Sequence, residues 1–156
     1  MAKDAPAKEQ VRVLVRNKRA RHDYVIEETI EAGLVLLGSE VKSLREGRAQ
    51  ITDAYAAPQG GELLLLQMQI SEYPWANRWN HPPRRPRKLL LHRPEIDKLS
   101  AAVQRDRYTL LPLEVYLKGG RIKVLLGLGR GKKQHDRRQE EREKEAARQI
   151  QRALRH

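Results

Sequence analysis

Residues 113–128 read LEVYLKGGRIKVLLGL, and this stretch decides the fold. Apolar and polar side chains alternate on both sides of a central Gly-Gly pair, and a period of two is that of a β-strand. Two adjacent glycines can both take positive φ, which a tight turn between antiparallel strands requires. The stretch therefore predicts a hairpin in which strand 113–118 pairs with strand 121–128.

Shorter apolar runs earlier in the chain predict further strands. Glycine-containing turns at 59–61 and near Gly33 would connect them. The runs are 51–57 and 62–70 around the first turn, and 24–29 and 34–38 around the second. Several short strands at this spacing are typical of a barrel. We therefore predict a mainly β fold built on a closed or nearly closed antiparallel barrel.

Two short helices are expected beside the strands. Ser39 is a residue type that caps helix N-termini, and the helix after it would run to Arg45. Pro94 suits the first turn of a second helix, because its missing N–H needs no partner there. The apolar residues spaced i, i+3 and i+7 in that helix are Ile96, Leu99 and Val103. Since the chain has no phenylalanine, the core must be built from Leu, Val and Ile.

The composition of the chain points to a polyanionic partner. Its 156 residues suit one domain of roughly 100–200 residues. The 32 lysines and arginines outnumber the 20 aspartates and glutamates, which gives a formal net charge of +12. Such an excess attracts nucleic acid or an anionic membrane surface. We favour nucleic acid, because no apolar run approaches the roughly 18 residues that span a bilayer.

The same sequence indicates the compartment. The first ten residues lack the apolar stretch of a signal peptide. The absence of cysteine excludes disulfides and cysteine-ligated metals, neither of which a cytoplasmic protein needs. We therefore expect a cytoplasmic protein that binds nucleic acid and does not associate with a membrane.

The positive charge is concentrated in three segments that contain few acids. They are Arg12, Arg16, Lys18, Arg19 and Arg21; Arg78, Arg84, Arg85, Arg87, Lys88 and Arg93; and Arg130, Lys132, Lys133, Arg137 and Arg138. One such segment is as easily a solvated face as a binding surface. Three of them on a small barrel favour a surface that neutralises phosphates and releases their counterions.

Aromatic rings accompany the second basic segment. Tyr73, Trp75 and Trp79 lie among its arginines and prolines. Rings interleaved with cations are suited to stacking on unpaired bases. The tryptophans could equally cover one end of the barrel, and the sequence leaves both interpretations open.

An enzymatic site is not indicated. The carboxylates nearest to a metal-binding pattern are Asp23, Glu27, Glu28 and Glu31, which could hold Mg²⁺ in a nuclease. Strand alternation places Glu27 and Glu28 on opposite faces, however, so the group would not converge. The five histidines also lack the spacing of metal ligands. We predict a binding protein without catalytic activity, metal or cofactor.

Six motifs in matching order carry a resemblance to a known family. They are 17–24 (NKRARHDY), 31–33 (EAG), 38–45 (GSEVKSLR), 77–81 (NRWNH), 85–92 (RPRKLLLH) and 131–136 (GKKQHD). Over roughly residues 11–140 the chain resembles the small protein B family, bacterial proteins that bind transfer-messenger RNA. The resemblance implies an antiparallel barrel like the oligonucleotide-binding fold, with a few short helices and a basic C-terminal tail.

The resemblance also implies a function and partners. A member of this family binds the tRNA-like domain of transfer-messenger RNA and delivers it to ribosomes stalled on messages without a stop codon. Trans-translation then releases the ribosome and tags the nascent chain for proteolysis. The expected partners are this RNA and the ribosome, and the expected protein is a monomeric adaptor that catalyses nothing.

The resemblance extends to individual RNA-contact residues. They are Asn17, Arg19, Arg21, His22, Glu31, Leu90 and Lys123. A carboxylate facing RNA, such as Glu31, could accept from a base amino group or a 2′-hydroxyl, or orient a neighbouring arginine. Leu90 could instead be a core residue.

The tail has its own expected role. Residues 131–145 contain no apolar side chain, and only a thin stripe of Ala146, Ile150 and Leu154 follows. The resemblance implies that this segment is loose in the free protein and becomes helical in the message channel of the small ribosomal subunit. The contacts expected with the decoding centre and channel are Gly131, Lys132, Lys133, His135, Asp136, Arg137 and Arg138. Asp136 would cap the helix.

These expectations divide the chain into three parts and leave two rival functions. The parts are a disordered lead at 1–10, a barrel at 11–130 and a tail at 131–156. One rival is a ribosomal or generic RNA-binding barrel that uses the same basic surfaces without selecting one RNA. The other is the metal-dependent nuclease, which would depend on Glu27 and Glu28.

Overall fold

The computed structural model describes residues 10–76 and 80–154, with side chains given outside 133–141. The expected N-terminal lead at 1–10 therefore lies almost wholly outside the described residues, as does Trp79. No helix in the described ranges is long and apolar enough to cross a bilayer.

The chain forms nine strands and four helices within these ranges. The strands are β1 (Val11–Arg16), β2 (Tyr24–Leu34), β3 (Ala49–Gln50), β4 (Tyr55–Gln59), β5 (Glu62–Leu66), β6 (Gln69–Ile70), β7 (Arg87–Leu90), β8 (Thr109–Lys118) and β9 (Arg121–Gly131). The helices are α1 (Ala20–Asp23), α2 (Gly38–Arg45), α3 (Arg93–Arg105) and α4 (Lys132–Leu154). The predicted class, mainly β with short helices, is confirmed.

Six strands close into an antiparallel barrel in the order β8-β4-β5-β7-β2-β9, because β9 also pairs back with β8. β4 and β1 both pair with β8, β4 at Leu110 and β1 between Glu114 and Lys118. The short strands β3 and β6 form a separate pair. The barrel interior is filled mainly by aliphatic side chains, among them Leu63, Leu65 and Leu126, which are fully buried.

The hairpin predicted from residues 113–128 is the pair β8–β9. Gly119 and Gly120 connect the strands with φ of +56° and +77°, and Lys118 faces Arg121 across the turn. Both strands continue beyond the predicted limits, to Thr109 and Gly131. The turn is thus formed by the Gly-Gly pair, as predicted.

The predicted turn at Gly33 was wrong. β2 runs without interruption from Tyr24 to Leu34, and Gly33 lies within it opposite Leu90 of β7 and Lys123 of β9. A Cβ at Gly33 would lie 3.0 Å from the Cβ of Leu90. Glycine accommodates the close approach of a neighbouring side chain at this position, and no turn is formed.

Two further differences concern strand limits. β1, whose sequence is VRVLVR, was interpreted only as part of a basic segment, although its alternation suits a strand paired on β8. The strand expected at 51–57 begins only at Tyr55, because a turn closed by a hydrogen bond from Ala54 N to Ile51 O (3.1 Å) precedes it.

Helices α2 and α3 occur where they were predicted, α1 was not predicted, and two of the expected caps differ. Leu37, not Ser39, is the N-cap of α2, and its N–H donates to the Glu40 carboxylate at 2.8 Å. Pro94 lies in the first turn of α3 as predicted. α4 starts at Lys132, directly after β9, so Asp136 lies inside the helix and does not cap it.

Candidate nucleic-acid interface

Three strands bring a leucine and a lysine together on the outside of the barrel. Gly33 of β2 is the register partner of Leu90 on one side and Lys123 on the other, and such partners face the same side of a sheet. Because Gly33 has no side chain, the two flanking side chains border an open position. Leu90 is 51% exposed whereas Leu89 is fully buried, so Leu90 is not a core residue.

Glu31 lies on the same face, two residues before Gly33. Its carboxylate accepts a short hydrogen bond from the Tyr116 hydroxyl and lies 3.3 Å from the Lys118 ammonium. The Tyr116 hydrogen bond, aided by Lys118, lowers the pKa of Glu31 below its usual value despite partial burial. Burial and the same carboxylate raise the pKa of Tyr116, which therefore remains a hydrogen-bond donor. Glu31 is thus held ionised and in a fixed orientation.

Cations outnumber the carboxylate around this position. Lys118, Arg121 and Lys123 line a polar cleft together with Glu31, at the turn of the β8–β9 hairpin. Three positive charges beside one negative charge leave a net attraction for a phosphate.

An apolar groove adjoins the polar cleft. It has a volume of about 340 Å³, and Leu36, Val41, Leu90, Leu117 and Ile122 line it together with Arg45 and Arg121. An apolar floor edged by guanidinium groups suits the face of an unpaired base and its phosphate. The groove therefore offers both apolar contact and positive charge to a nucleotide.

The other expected RNA contacts divide into one buried and three exposed residues. Asn17 is buried, and its amide group donates to Ile51 O (3.2 Å) and Pro112 O (3.1 Å). Its side-chain oxygen accepts from the N–H groups of Arg19 and Ala20. All four hydrogen-bonding positions of this side chain are thus used inside the protein. Asn17 holds α1 on the barrel and has none left for RNA.

Arg19, Arg21 and His22 are exposed on and beside α1. Asn17, just before α1, donates its backbone N–H to Leu113 O of β8. Lys118, which lines the cleft, lies five residues further along β8. At the rise of a strand, Leu113 and Lys118 are roughly 17 Å apart. The structure therefore presents two separated basic surfaces: the cleft around Lys123, and the α1 surface formed by these three residues.

The expected ribosome contacts lie where β9 gives way to α4. Gly131 ends the strand, and Lys132 is exposed at the start of the helix. The backbone of the other five residues is helical, while their side chains fall outside the described part; they are Lys133, His135, Asp136, Arg137 and Arg138. Every described side chain from 142 to 154 is exposed, including Ile150 and Leu154. This part of the helix projects from the body without packing on it.

A buried ion pair supports the groove, and the sequence did not predict it. Glu40 of α2 and Arg87 of β7 are fully buried and joined by a short hydrogen bond, and Arg85 binds the other oxygen of Glu40. Arg87 also donates to Met68 O (2.6 Å) and Pro83 O (3.1 Å). Because α2 carries Val41 and Arg45 while β7 carries Leu90, this pair fixes two walls of the groove.

A second buried contact holds the loop that precedes β7. His81 is 1% exposed, donates from Nε2 to Ile70 O (2.9 Å), and places Nδ1 2.8 Å from the Ser39 hydroxyl of α2. Glu40, His81 and Arg87 all belong to the family motifs, yet charged and polar residues are expected on the surface. The signal in the sequence that could have singled out these three residues is their position within the motifs shared with the family.

The aromatic residues of this loop have different environments. Trp75 is 78% exposed, so it does not cover the end of the barrel. Tyr73 is half-buried, with the Lys42 ammonium 5.6 Å from its ring centre. Its backbone N–H and C=O are both bonded by the side chain of Asn80.

The carboxylates considered for a nuclease site do not converge. Glu27 accepts from the Tyr108 hydroxyl and Glu28 from the Lys98 ammonium, each at 2.6 Å. Over the described ranges, no three His, Cys, Asp or Glu side chains are grouped so that they could hold a metal ion. The geometry gives the nuclease hypothesis no support.

A closed β-barrel with a cationic cleft, an apolar groove and a projecting basic helix defines a nucleic-acid-binding protein. The family described as SmpB protein matches residues 14–156. This chain belongs to that family, so the resemblance to small protein B is confirmed.

Relatives and a solved structure agree with the family. The SsrA-binding protein of Bacillus cereus is 54% identical over 144 residues, which cover 92% of this chain and 93% of the relative. The SsrA-binding protein of Geobacillus thermodenitrificans is 53% identical over the same shares. A structure described as "tmRNA-SmpB: a journey to the center of the bacterial ribosome" superposes with a TM-score of 0.64 at 48% identity, over 75% of this chain and 82% of that chain.

The buried ion pair makes stability depend on pH. Burial alone would raise the pKa of Glu40, but hydrogen bonds from Arg85, the Leu37 backbone and Arg87 outweigh it, so the pKa lies below its usual 4.5. A lowered folded-state pKa stabilises the protein above the unfolded value, and this stabilisation is lost as the pH falls through the folded pKa.

We expect Glu40→Gln to lower the free energy of unfolding at pH 7 by about 3–5 kcal/mol, because it leaves the Arg87 charge buried and unpaired. It should also flatten the decline in stability below pH 4.5. Urea unfolding at stepped pH measures both effects. The matched control is Glu62→Gln, which breaks a surface pair with Lys88 and should cost at most about 1 kcal/mol. Equal losses in the two variants would contradict the assignment.

Proposed function

We propose that this protein binds the tRNA-like domain of transfer-messenger RNA and delivers that RNA to stalled ribosomes for trans-translation. The observation that carries the proposal is that the polar cleft of Glu31 and Lys123 adjoins the groove of Leu90 on either side of Gly33, in a member of the SmpB family. Relatives named for binding SsrA and a neighbour solved as tmRNA-SmpB support it.

Each group in the cleft and the adjoining groove has a distinct part in binding. Lys123, with Lys118 and Arg121 beside it, neutralises phosphates and releases their counterions. Leu90 offers an exposed apolar contact for a base or ribose. Glu31 is ionised and accepts hydrogen bonds only, so it selects a base amino group or a 2′-hydroxyl. The cleft thus combines charge with groups that distinguish RNA features.

The α1 surface makes a second contact with the same RNA. Arg19, Arg21 and His22 are exposed there. The buried Asn17 side chain holds this segment on the barrel by accepting the backbone N–H groups of Arg19 and Ala20. Two contacts roughly 17 Å apart along β8 fit a folded RNA better than a single strand lying in one groove. The separation favours recognition of RNA shape.

The tail contacts the ribosome and not the transfer-messenger RNA. Lys132, Lys133, Arg137 and Arg138 neutralise phosphates of the message channel, and His135 stacks on a base of the decoding centre. Gly131 and Asp136 complete this contact region at the root of α4. The protein works in the bacterial cytoplasm, where ribosomes are, as an adaptor without catalytic function of its own.

A competition gel shift tests the function against the generic RNA-binding alternative. Labelled tRNA-like RNA bound to the protein should resist excess random duplex at moderate salt, because two surfaces at a fixed separation match one folded shape. Unlabelled tRNA-like RNA is the control competitor and should displace the label. Equal competition by both RNAs would favour a generic binder.

One substitution in the cleft and one in the adjoining groove should weaken RNA binding in different ways. Lys123→Gln removes a phosphate contact and should lower the slope of log K against log salt by about 1. Leu90→Ala removes apolar contact, so the binding free energy should become less favourable by roughly 1–2 kcal/mol while the salt slope stays unchanged. Fluorescence anisotropy at several salt concentrations distinguishes them.

The matched control for these variants is Lys98→Gln on α3, whose side chain binds Glu28 away from the cleft. It should change neither the affinity nor the salt slope by a comparable amount. A Lys123→Gln variant with an unchanged slope would remove that residue from the interface.

Removal of the tail should separate the two roles. A chain ending at Arg130 keeps the whole barrel except Gly131, the last residue of β9, so RNA affinity should remain nearly intact. Tagging of stalled products in a reconstituted translation system should be abolished, because the ribosome contacts are gone. A loss of RNA affinity as large as the loss of tagging would show that the tail binds the RNA.

A further inference from the structure

A second apolar cluster lies on the outside of the barrel, apart from the barrel core. Leu125 shows its position: Val124 and Leu126 on either side are fully buried in the core, and successive side chains of a strand alternate between its faces. Leu125 therefore points outward. The buried members of this outer cluster are Ala20, Leu111 and Leu113, and the half-buried residues packed against them are Tyr24, Ile26 and Leu125.

Helix α1 rests on the outer cluster and depends on it. The helix has only four residues, Ala20–Asp23, and so short a helix is unstable by itself in water. Ala20 is 2% exposed and faces the cluster, whereas the neighbouring Arg19, Arg21 and His22 are exposed. One side of α1 is thus held by apolar packing, and the other carries the expected RNA contacts.

Leu113 of β8 joins this segment to the barrel in two ways. Its carbonyl oxygen accepts the backbone N–H of Asn17, just before α1, at 2.8 Å. Its side chain belongs to the outer cluster together with Ala20. The register of β8 with β9 also shifts at this residue, between Pro112 and Glu114, and such bulges re-aim side chains. The position of Leu113 therefore determines how α1 lies on the barrel.

Gly127 of β9 provides the space that the Leu113 side chain occupies. It is the register partner of Leu111 on β8. A Cβ at Gly127 would lie 3.0 Å from Cδ1 of Leu113 and 3.1 Å from both its Cδ2 and its Cγ. Carbon atoms in favourable contact are roughly 3.5–4.0 Å apart, so any side chain here would displace Leu113. The φ of Gly127 is not positive, so the close packing and not the backbone conformation accounts for glycine.

We propose that Leu113, seated on Gly127, positions α1 for RNA binding. The pair sets how far α1 stands from the barrel wall, and thereby the spacing between the α1 surface and the cleft around Lys123. Both are positioning residues that act through α1 and do not touch the RNA. The inference rests on the proposed function, in which α1 and the cleft bind one folded RNA. Two contacts held at a fixed spacing bind together without a further ordering cost, and a displaced α1 loses that advantage.

Two substitutions test this role through RNA binding. Leu113→Ala removes the side chain that supports Ala20, and Gly127→Ala adds a methyl group that displaces Leu113. Both should lower the affinity for the tRNA-like RNA several-fold. They should also lower the slope of log K against log salt by up to about 2, because Arg19 and Arg21 lose their phosphates. Fluorescence anisotropy at several salt concentrations measures both quantities. Gly127→Ala removes no apolar group, so it remains informative if Leu113→Ala destabilises the barrel.

A double variant and a matched control separate positioning from general destabilisation. Leu113→Val combined with Gly127→Ala should recover part of the lost affinity and slope, because valine lacks the two Cδ atoms that the added methyl group meets. The control is Gly38→Ala, which adds the same methyl group where nothing lies within 4 Å and should change neither quantity. An affinity loss with an unchanged slope in both single variants, or an equal loss in the control, overturns the positioning role.

Hydrogen exchange of the full chain without RNA tests the structural half. The amides of Asn17 and Asp23 donate to Leu113 O and Arg19 O, so they report whether α1 is held. In Leu113→Ala and Gly127→Ala both should exchange about tenfold faster, while the amides of β5 keep their protection. Unchanged exchange at both amides overturns the inference. If the unsubstituted protein does not select tRNA-like RNA, the proposed function fails, while the exchange rates still decide whether Leu113 and Gly127 hold α1.

Discussion

The double pairing of β9 is the constraint on which the rest of the molecule depends. β9 pairs with β2 on one side and with β8 on the other, and this closes the barrel. It also places Lys123 between its register partners Gly33 of β2 and Tyr116 of β8, and it ends where α4 begins. The closed core, the cationic cleft and the root of the tail are therefore consequences of one strand. A change in its register would alter all three together.

The sequence predicted features whose cause is local and missed those whose cause lies elsewhere in the chain. The turn at Gly119 and Gly120 follows from their own freedom to take positive φ, so it could be located from neighbouring residues. Gly33 was misinterpreted because the reason for its glycine is Leu90, far away in sequence. Element type was predictable from periodicity, whereas the partners of each strand were not.

The candidate site shows the same division. The residues named for RNA contact came from the family resemblance, and their chemistry alone would not have singled out Leu90 or Glu31. That both lie beside Lys123 required the register of three strands. Asn17 belongs to the same motif as Arg19, but its amide is used up inside the protein. The composition predicted that the partner is negatively charged. The shape of the binding surface became visible only from the pairing of the strands.

The buried guanidinium of Arg87 has a consequence for the leucines that follow it. Leu89 points into the core and Leu90 outward, yet the two residues are identical, so hydrophobicity cannot distinguish the correct alignment of β7 from one displaced by a single position. Such a displacement would turn Arg87 toward water and break the hydrogen bonds that its guanidinium donates to Glu40, Met68 O and Pro83 O. Breaking a buried ion pair in this way costs roughly 3–5 kcal/mol. An ion pair that never touches a ligand thus determines which leucine the partner encounters.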